Sequence, residues 1–154
     1  MALTPGDAAP DFQLPADGGG SLRLSDLKGK PVVVYFYPRD DTPGCTKEAI
    51  GFSCLADRFA ALGVTVIGIS GDTAKSHDKF IAKHELKVRL ASDAEHATME
   101  AFGVWVEKSM YGKKYMGVER ATFLIDGNGV VARAWPKVKV DGHAEEVLKA
   151  VEAL

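Results

Sequence analysis

Val32 to Phe36 is the longest apolar run in the chain. β-Branched and aromatic residues point to both sides of it through Tyr37, which predicts a central strand buried on both faces and ended by Pro38. Val64-Thr65-Val66-Ile67-Gly68-Ile69-Ser70 repeats that pattern as a second buried strand. Earlier, Asp11-Phe12-Gln13-Leu14 and Ser21-Leu22-Arg23-Leu24 alternate around the turn-forming Ala16 to Gly20, predicting a hairpin. Between the two buried strands the period lengthens. Phe52, Leu55, Phe59 and Leu62 recur every three or four residues, predicting a helix that starts near Thr42-Pro43 and runs to about Leu62, with Gly63 at C′. A further helix, capped by Asp72 or Thr73, runs to about His84. Arg89 to Ser92 is a short strand and Ala94 to Phe102 a short helix, while Gly103 to Glu119 shows no clear period. Ala121 to Ile125 and Val130 to Trp135 flank Asp126-Gly127-Asn128-Gly129, a strong hairpin signal. His143 to Leu154, with Val147, Leu148, Val151 and Leu154 on one side, closes the chain as an amphipathic helix.

The order is a hairpin, then β-α-β-α-β-α, then a second hairpin and a last helix. Strands alternating with helices imply a partly parallel sheet covered on both faces. The expected class is α/β: a thioredoxin-like pattern with a central mixed sheet flanked by helices and an N-terminal β-hairpin. The 154 residues suit a single domain, 1–154, that buries roughly 70% of the surface its unfolded chain exposes. Lys and Arg number 19 against 21 Asp and Glu, for a net charge of −2, so electrostatics give no reason to expect nucleic acid or an anionic membrane as partner. No apolar run approaches the ~20 residues that span a bilayer, and Met1 to Asp7 has neither a basic region nor an apolar core. A cytoplasmic protein is expected.

Two cysteines, Cys45 and Cys54, do not make a disulfide scaffold in a chain of this length. Cys45 lies between the carboxyl end of the first buried strand and the start of a helix, the junction at which open α/β sheets bind ligands. Unpaired N–H groups and the helix dipole there favour thiolate over thiol. Thr42-Pro43 also reads as a plain helix start, threonine at the N-cap and proline at N1, and the two readings are compatible. Thiol–disulfide exchange within a Cys-x-x-Cys motif is excluded, because Thr42 and Glu48 stand three residues either side of Cys45. A phosphatase arginine six residues on is likewise missing, position 51 being Gly. His77 and His84 can share a helix face, but no third ligand has metal spacing, and all four histidines, with His96 and His143, are expected on the solvated surface. Asp126 to Gly129 lacks a calcium ligand at Val130. Gly68 to Asp72 is not a dinucleotide fingerprint. Lys108, Lys113 and Lys114 are expected to solvate their loop. No metal, haem, flavin or other cofactor is expected.

Pro38-x-x-x-Thr42-x-x-Cys45 resembles the active-site signature of the peroxiredoxins, and Thr42-Pro43-Gly44-Cys45-Thr46-x-Glu48 resembles that of the bacterioferritin-comigratory (PrxQ) subfamily. The resemblance extends to Val32 to Pro38, to Gly103-Val104-Trp105 with Glu107-Lys108-Ser109 and Tyr111-Gly112-Lys113, and to Gly117 to Asp126. It implies a thiol peroxidase acting on hydrogen peroxide or alkyl hydroperoxides. Cys45 would attack the peroxide and become a sulfenic acid. Arg120 would polarise thiolate and peroxide, the Thr42 hydroxyl and Cys45 N–H would hold the peroxide oxygens, and Pro38 would shield the thiolate. Thioredoxin or another thiol would recycle the enzyme. Taken alone, Arg120 at a strand end reads as a surface ion pair, and Glu48 either positions Arg39, Lys47 or Arg120 or simply favours the helix dipole. A thiol transferase and a non-catalytic thioredoxin-like module remain the alternatives. No large apolar stripe stands out, so a monomer is expected.

The chain departs from the subfamily in its second cysteine. Where relatives carry one five residues after the first, this chain has Ile50; where they carry one in the next helix, it has Phe80-Ile81-Ala82. Cys54 is the only candidate resolving residue. Nine residues turn a helix by about 900° and advance it about 13.5 Å, against the 4.4–6.8 Å between Cα atoms of a disulfide. Cys54 is therefore expected to be a small, partly buried side chain beside Ile50, and the cycle to use Cys45 alone.

Overall fold

The computed structural model describes residues 2–154; Met1, with which the expected domain and N-terminal segment begin, lies outside the described residues. β1 (Gln13–Pro15) and β2 (Ser21–Arg23) form the expected antiparallel hairpin. A five-stranded sheet follows, built from β3 (Val32–Phe36), β4 (Thr65–Ser70), β5 (Arg89–Ser92), β8 (Ala121–Ile125) and β9 (Val131–Trp135) in the order β5-β4-β3-β8-β9. β3 pairs parallel with β4 and antiparallel with β8, so the sheet is mixed, as the element order implies.

β3 is buried at every position, and its alternation divides the core. Val33 and Tyr35 pack with Phe52, Phe59, Phe80, Val147 and Leu148 from α1 (Pro43–Cys54), α2 (Ala56–Ala61), α3 (Ala74–His84) and α5 (His143–Glu152). Val32, Val34 and Phe36 face Phe12 and Leu22 of the N-terminal segment, Met99 of α4 (Ala97–Ala101) and Phe102, its C-cap. A strand that feeds two cores needs apolar residues on both sides, which is why its sequence does not alternate. Gly68 lies opposite Tyr35, and a Cβ there would sit 2.6 Å from the tyrosine ring. The apolar run of β4 is interrupted so that Tyr35 can lie flat against Phe52, ring centroids 4.8 Å apart.

Three expectations are corrected. The helix expected to run from Thr42 to Leu62 breaks at Leu55, whose N–H bonds back to Phe52 at 3.1 Å in a tighter turn, and Leu62 ends up exposed. The segment 103–119, without a clear period in sequence, forms a hairpin of β6 (Trp105–Met110) and β7 (Lys113–Val118). Neither of its faces is covered by a layer, so no alternation is imposed on it. Its turn is Tyr111-Gly112, both at positive φ, with tyrosine where Asn, Asp or Gly usually announces such a turn. His77 and His143 are buried rather than solvated. No helix among the described residues is long and apolar enough to cross a membrane.

Candidate active site

The loop leaving β3 turns through Asp41, at φ 59°, and returns to extended backbone at Thr42 before Pro43 opens α1. Cys45 sits in the first helical turn and is 2% exposed. Thr42 occupies the N-cap as expected, but its side chain does not cap. The hydroxyl donates to the Arg39 carbonyl at 2.9 Å, while the Thr42 carbonyl accepts the first helical bond from Thr46 at 2.8 Å. Pro43 has no N–H, so Gly44 and Cys45 supply the unpaired donors of the helix end, beside the thiol.

Arg120 arrives from the neighbouring strand. Phe36 pairs with Ala121, so the end of β3 and the start of β8 share one edge of the sheet, and the residue before β8 falls over the α1 terminus. Its guanidinium spans two partners: Nη2 donates to Cys45 Sγ at 3.3 Å and Nη1 to Glu48 Oε1 at 2.7 Å. Gly44 makes room for it, since a Cβ there would lie 3.3 Å from Nη2. Of the cations open to Glu48, Arg120 is the one it contacts; Lys47 instead pairs with Asp141. Arg120 is no surface ion pair, its partner Glu48 being fully enclosed.

Burial opposes the charge of Arg120, but Glu48 and the thiol beside it more than offset this and hold the guanidinium protonated. Burial pushes Glu48 up to about 7 against the pull of Arg120, and its Oε2 has no hydrogen-bond partner among the described residues. Beneath the site lie two residues that sequence reasoning did not single out. The Tyr35 hydroxyl is enclosed without a partner among the described residues, and burial, reinforced by the charges of Glu48 and Cys45, raises it well above an ordinary phenol. His143 bonds Thr122 at 2.8 Å, and burial, with Arg120 adding to it, lowers it to about 4. It is neutral at working pH, and the edge-on Phe52 and Trp135 rings pack against it. Tyr35 reads in sequence only as a core residue of β3, and the partner of His143 lies 21 residues away, so no local pattern announces either role.

The structure thus gathers Cys45, Thr42, Glu48 and Arg120. Pro38 lies exposed at the loop's start. Cys54 is not brought in: α1 is unbroken from Pro43 to Cys54, and Cys54 is exposed where partial burial was expected.

The family model described as "AhpC/TSA family" matches residues 5–134. The chain belongs to the AhpC/TSA family, as a peroxiredoxin of the Bcp type. The Bcp protein of Coxiella burnetii is 53% identical over 148 residues, covering 96% of this chain and 98% of its own. Peroxiredoxin Bcp of Bacillus subtilis is 47% identical over 152 residues, covering 99% and 97%. A bacterioferritin comigratory protein of Xanthomonas campestris, solved in work on its alkyl peroxide reduction, superposes with a TM-score of 0.90 at 42% identity, covering 99% of this chain and 97% of its own. The peroxiredoxin resemblance of the sequence and its thioredoxin-like α/β fold both hold.

Glu48 gives the site a pH signature. Its native pKa of about 7 exceeds the ~4.3 of a free glutamate, so the native state binds more protons between these values. Stability from this group is full below ~4.3 and is lost as pH rises through 7, a swing on the order of 4 kcal/mol. Glu48→Gln removes the titration. Its Tm relative to the parent is expected to rise from pH 5 to pH 8; a pH-independent difference contradicts burial as the dominant influence on Glu48.

Proposed function

We propose that this peroxiredoxin reduces hydrogen peroxide and organic hydroperoxides through Cys45. One observation carries this assignment: Arg120 places one N–H on Cys45 Sγ at 3.3 Å while Glu48 pins its other arm at 2.7 Å. The thiolate attacks the peroxide oxygen that bears hydrogen, along the O–O axis. An S–O bond forms, the O–O bond breaks, Cys45 becomes a sulfenic acid and the peroxide is reduced to an alkoxide or hydroxide. That anion takes up a proton and leaves as alcohol or water. Charge moves from sulfur to the leaving oxygen, so a fixed cation that touches both stabilises the transition state more than the ground state. The Thr42 hydroxyl has given its hydrogen to Arg39. Toward the peroxide it is an acceptor, suited to the peroxide O–H, while the Cys45 N–H is a donor for the other oxygen. Pro38 shields the approach from water.

A thiol reductant then attacks the sulfenic sulfur and releases water, forming a mixed disulfide; a second thiol, from the same or another reductant molecule, attacks the reductant's sulfur, expels Cys45 as thiolate and leaves the reductant as a disulfide. Thioredoxin or another thiol fills this role, and the chain works as one domain and as a monomer in the cytoplasm. Cys45, Thr42, Glu48 and Arg120 come from one copy, and both cysteines are free thiols, which suits a reducing compartment. With dithiothreitol as reductant, the parent and Cys54→Ser are expected to consume peroxide at the same rate and Cys45→Ser not at all. Sustained turnover by Cys45→Ser overturns the assignment.

A further inference from the structure

Two consecutive loop carboxylates, Asp40 and Asp41, stand next to Thr42 and take no part in the chemistry above. Asp40 is buried and is a hub. Its Oδ1 accepts from the Tyr37 hydroxyl at 2.5 Å, and its Oδ2 accepts from Ser76 Oγ at 2.8 Å and faces His77 Nδ1 at 2.7 Å. Its own N–H donates to Asp72 Oδ2 at 2.8 Å, and that oxygen is held by Ser70 Oγ at 2.6 Å. His77 has no exposed surface, and its Nε2 faces the Ala91 carbonyl at 3.0 Å. A carbonyl only accepts, so Nε2 carries a hydrogen, and the short contact on the other side of the ring holds one more proton between Nδ1 and the Asp40 carboxylate.

Asp41, exposed and in the left-handed backbone region, accepts from Lys83 Nζ at 2.6 Å and faces His84 Nε2 at 2.9 Å. A non-glycine residue at positive φ costs energy and persists only where its surroundings hold it. His77 and His84 are seven residues apart on α3, two turns along one face. The histidine pair that sequence analysis set aside as half of a metal site therefore grips two adjacent loop aspartates.

We propose that α3 is a positioning element for the peroxide-binding loop, holding Asp40 through His77 and Ser76 and Asp41 through Lys83 and His84, and so setting the pose of Thr42. None of these side-chain contacts comes from α1, which carries Cys45. The loop's oxygens and the thiolate are thus placed from different helices. The inference rests on the peroxidase assignment and deepens it. A peroxide must meet Cys45 and the loop together, whereas an alkylating reagent needs only the thiolate.

The test compares two second-order rates on reduced protein, with hydrogen peroxide and with iodoacetamide. Asp40→Ala is expected to lose about tenfold or more with peroxide, since small misplacements near reacting atoms are costly, and less than about twofold with iodoacetamide. Asp40→Asn restores most of the peroxide rate, because its amide N–H donates to Nδ1 of a neutral His77 and keeps both ring contacts. Should Asp40→Ala fail to fold, the exposed double variant Lys83→Ala/His84→Ala carries the test. It is expected to fold as the parent does and to lose roughly threefold with peroxide alone, in keeping with a solvent-exposed pair. A parent that reacts with peroxide, together with variants whose two rates fall in step or do not change, overturns the role of α3. A parent inert to peroxide sinks the peroxidase assignment, and this inference with it.

Discussion

Arg120→Ala is expected to lower the second-order rate with hydrogen peroxide by about 10²–10³-fold, the usual cost of one preorganised donor aimed at developing charge. The guanidinium is the only side-chain donor recorded on Cys45 Sγ among the described residues. The variant should still fold, because Glu48, already pushed up to about 7 by burial, can take a proton when its partner is removed. Arg120→Lys is the sharper experiment. An ammonium supplies charge, but it cannot reach Sγ and Glu48 Oε1 through two rigid N–H arms, so a loss of about tenfold or more is expected. Stopped-flow rates on both variants check this. A near-parental rate for Arg120→Lys would remove Arg120 from the site.

The second large effect concerns the fate of the oxidised protein. One equivalent of peroxide should add a single oxygen to Cys45 and leave Cys54 a thiol, since the continuous α1 helix keeps the two Cα atoms about 13.5 Å apart. A Cys45–Cys54 disulfide would need at least two turns of α1 to unwind, pulling the fully buried Phe52 out of its stack with Tyr35. The sulfenic acid therefore persists until an external thiol arrives and overoxidises when thiol is scarce. Mass spectrometry without reductant checks this. A gain of one oxygen, trapped at Cys45 by a sulfenic-acid reagent and unchanged in Cys54→Ser, is expected. Rapid loss of two hydrogens with a Cys45–Cys54 cross-linked peptide would make Cys54 the resolving residue.

What the sequence revealed was local. The five apolar residues of β3, the Thr42-Pro43 helix start and the cysteine in the next turn are neighbours in the chain, and they fold into one junction. Arg120 lies 75 residues from Cys45, and only the resemblance of Gly117 to Asp126 to a known strand pointed to it. Glu48 was ambiguous because three cations lay within reach in principle; the β3–β8 pairing decides between them by bringing Arg120 to the α1 terminus. His77 and His143 were misplaced on the surface because imidazole is polar, and their burial depends on Asp40, Ala91 and Thr122, all distant in sequence. The β6–β7 hairpin escaped because strand alternation is written only where one face is buried. Cys54 was expected to be half-buried, but the break of the helix just after it leaves it in solvent.

The most direct measurement mixes fully reduced protein with hydrogen peroxide in a stopped-flow instrument and follows one turnover, with free cysteine and Cys45→Ser as references. A rate many orders of magnitude above free cysteine, abolished in Cys45→Ser and preserved in Cys54→Ser, is the predicted result. A rate no faster than free cysteine, or one that survives in Cys45→Ser, contradicts the central claim.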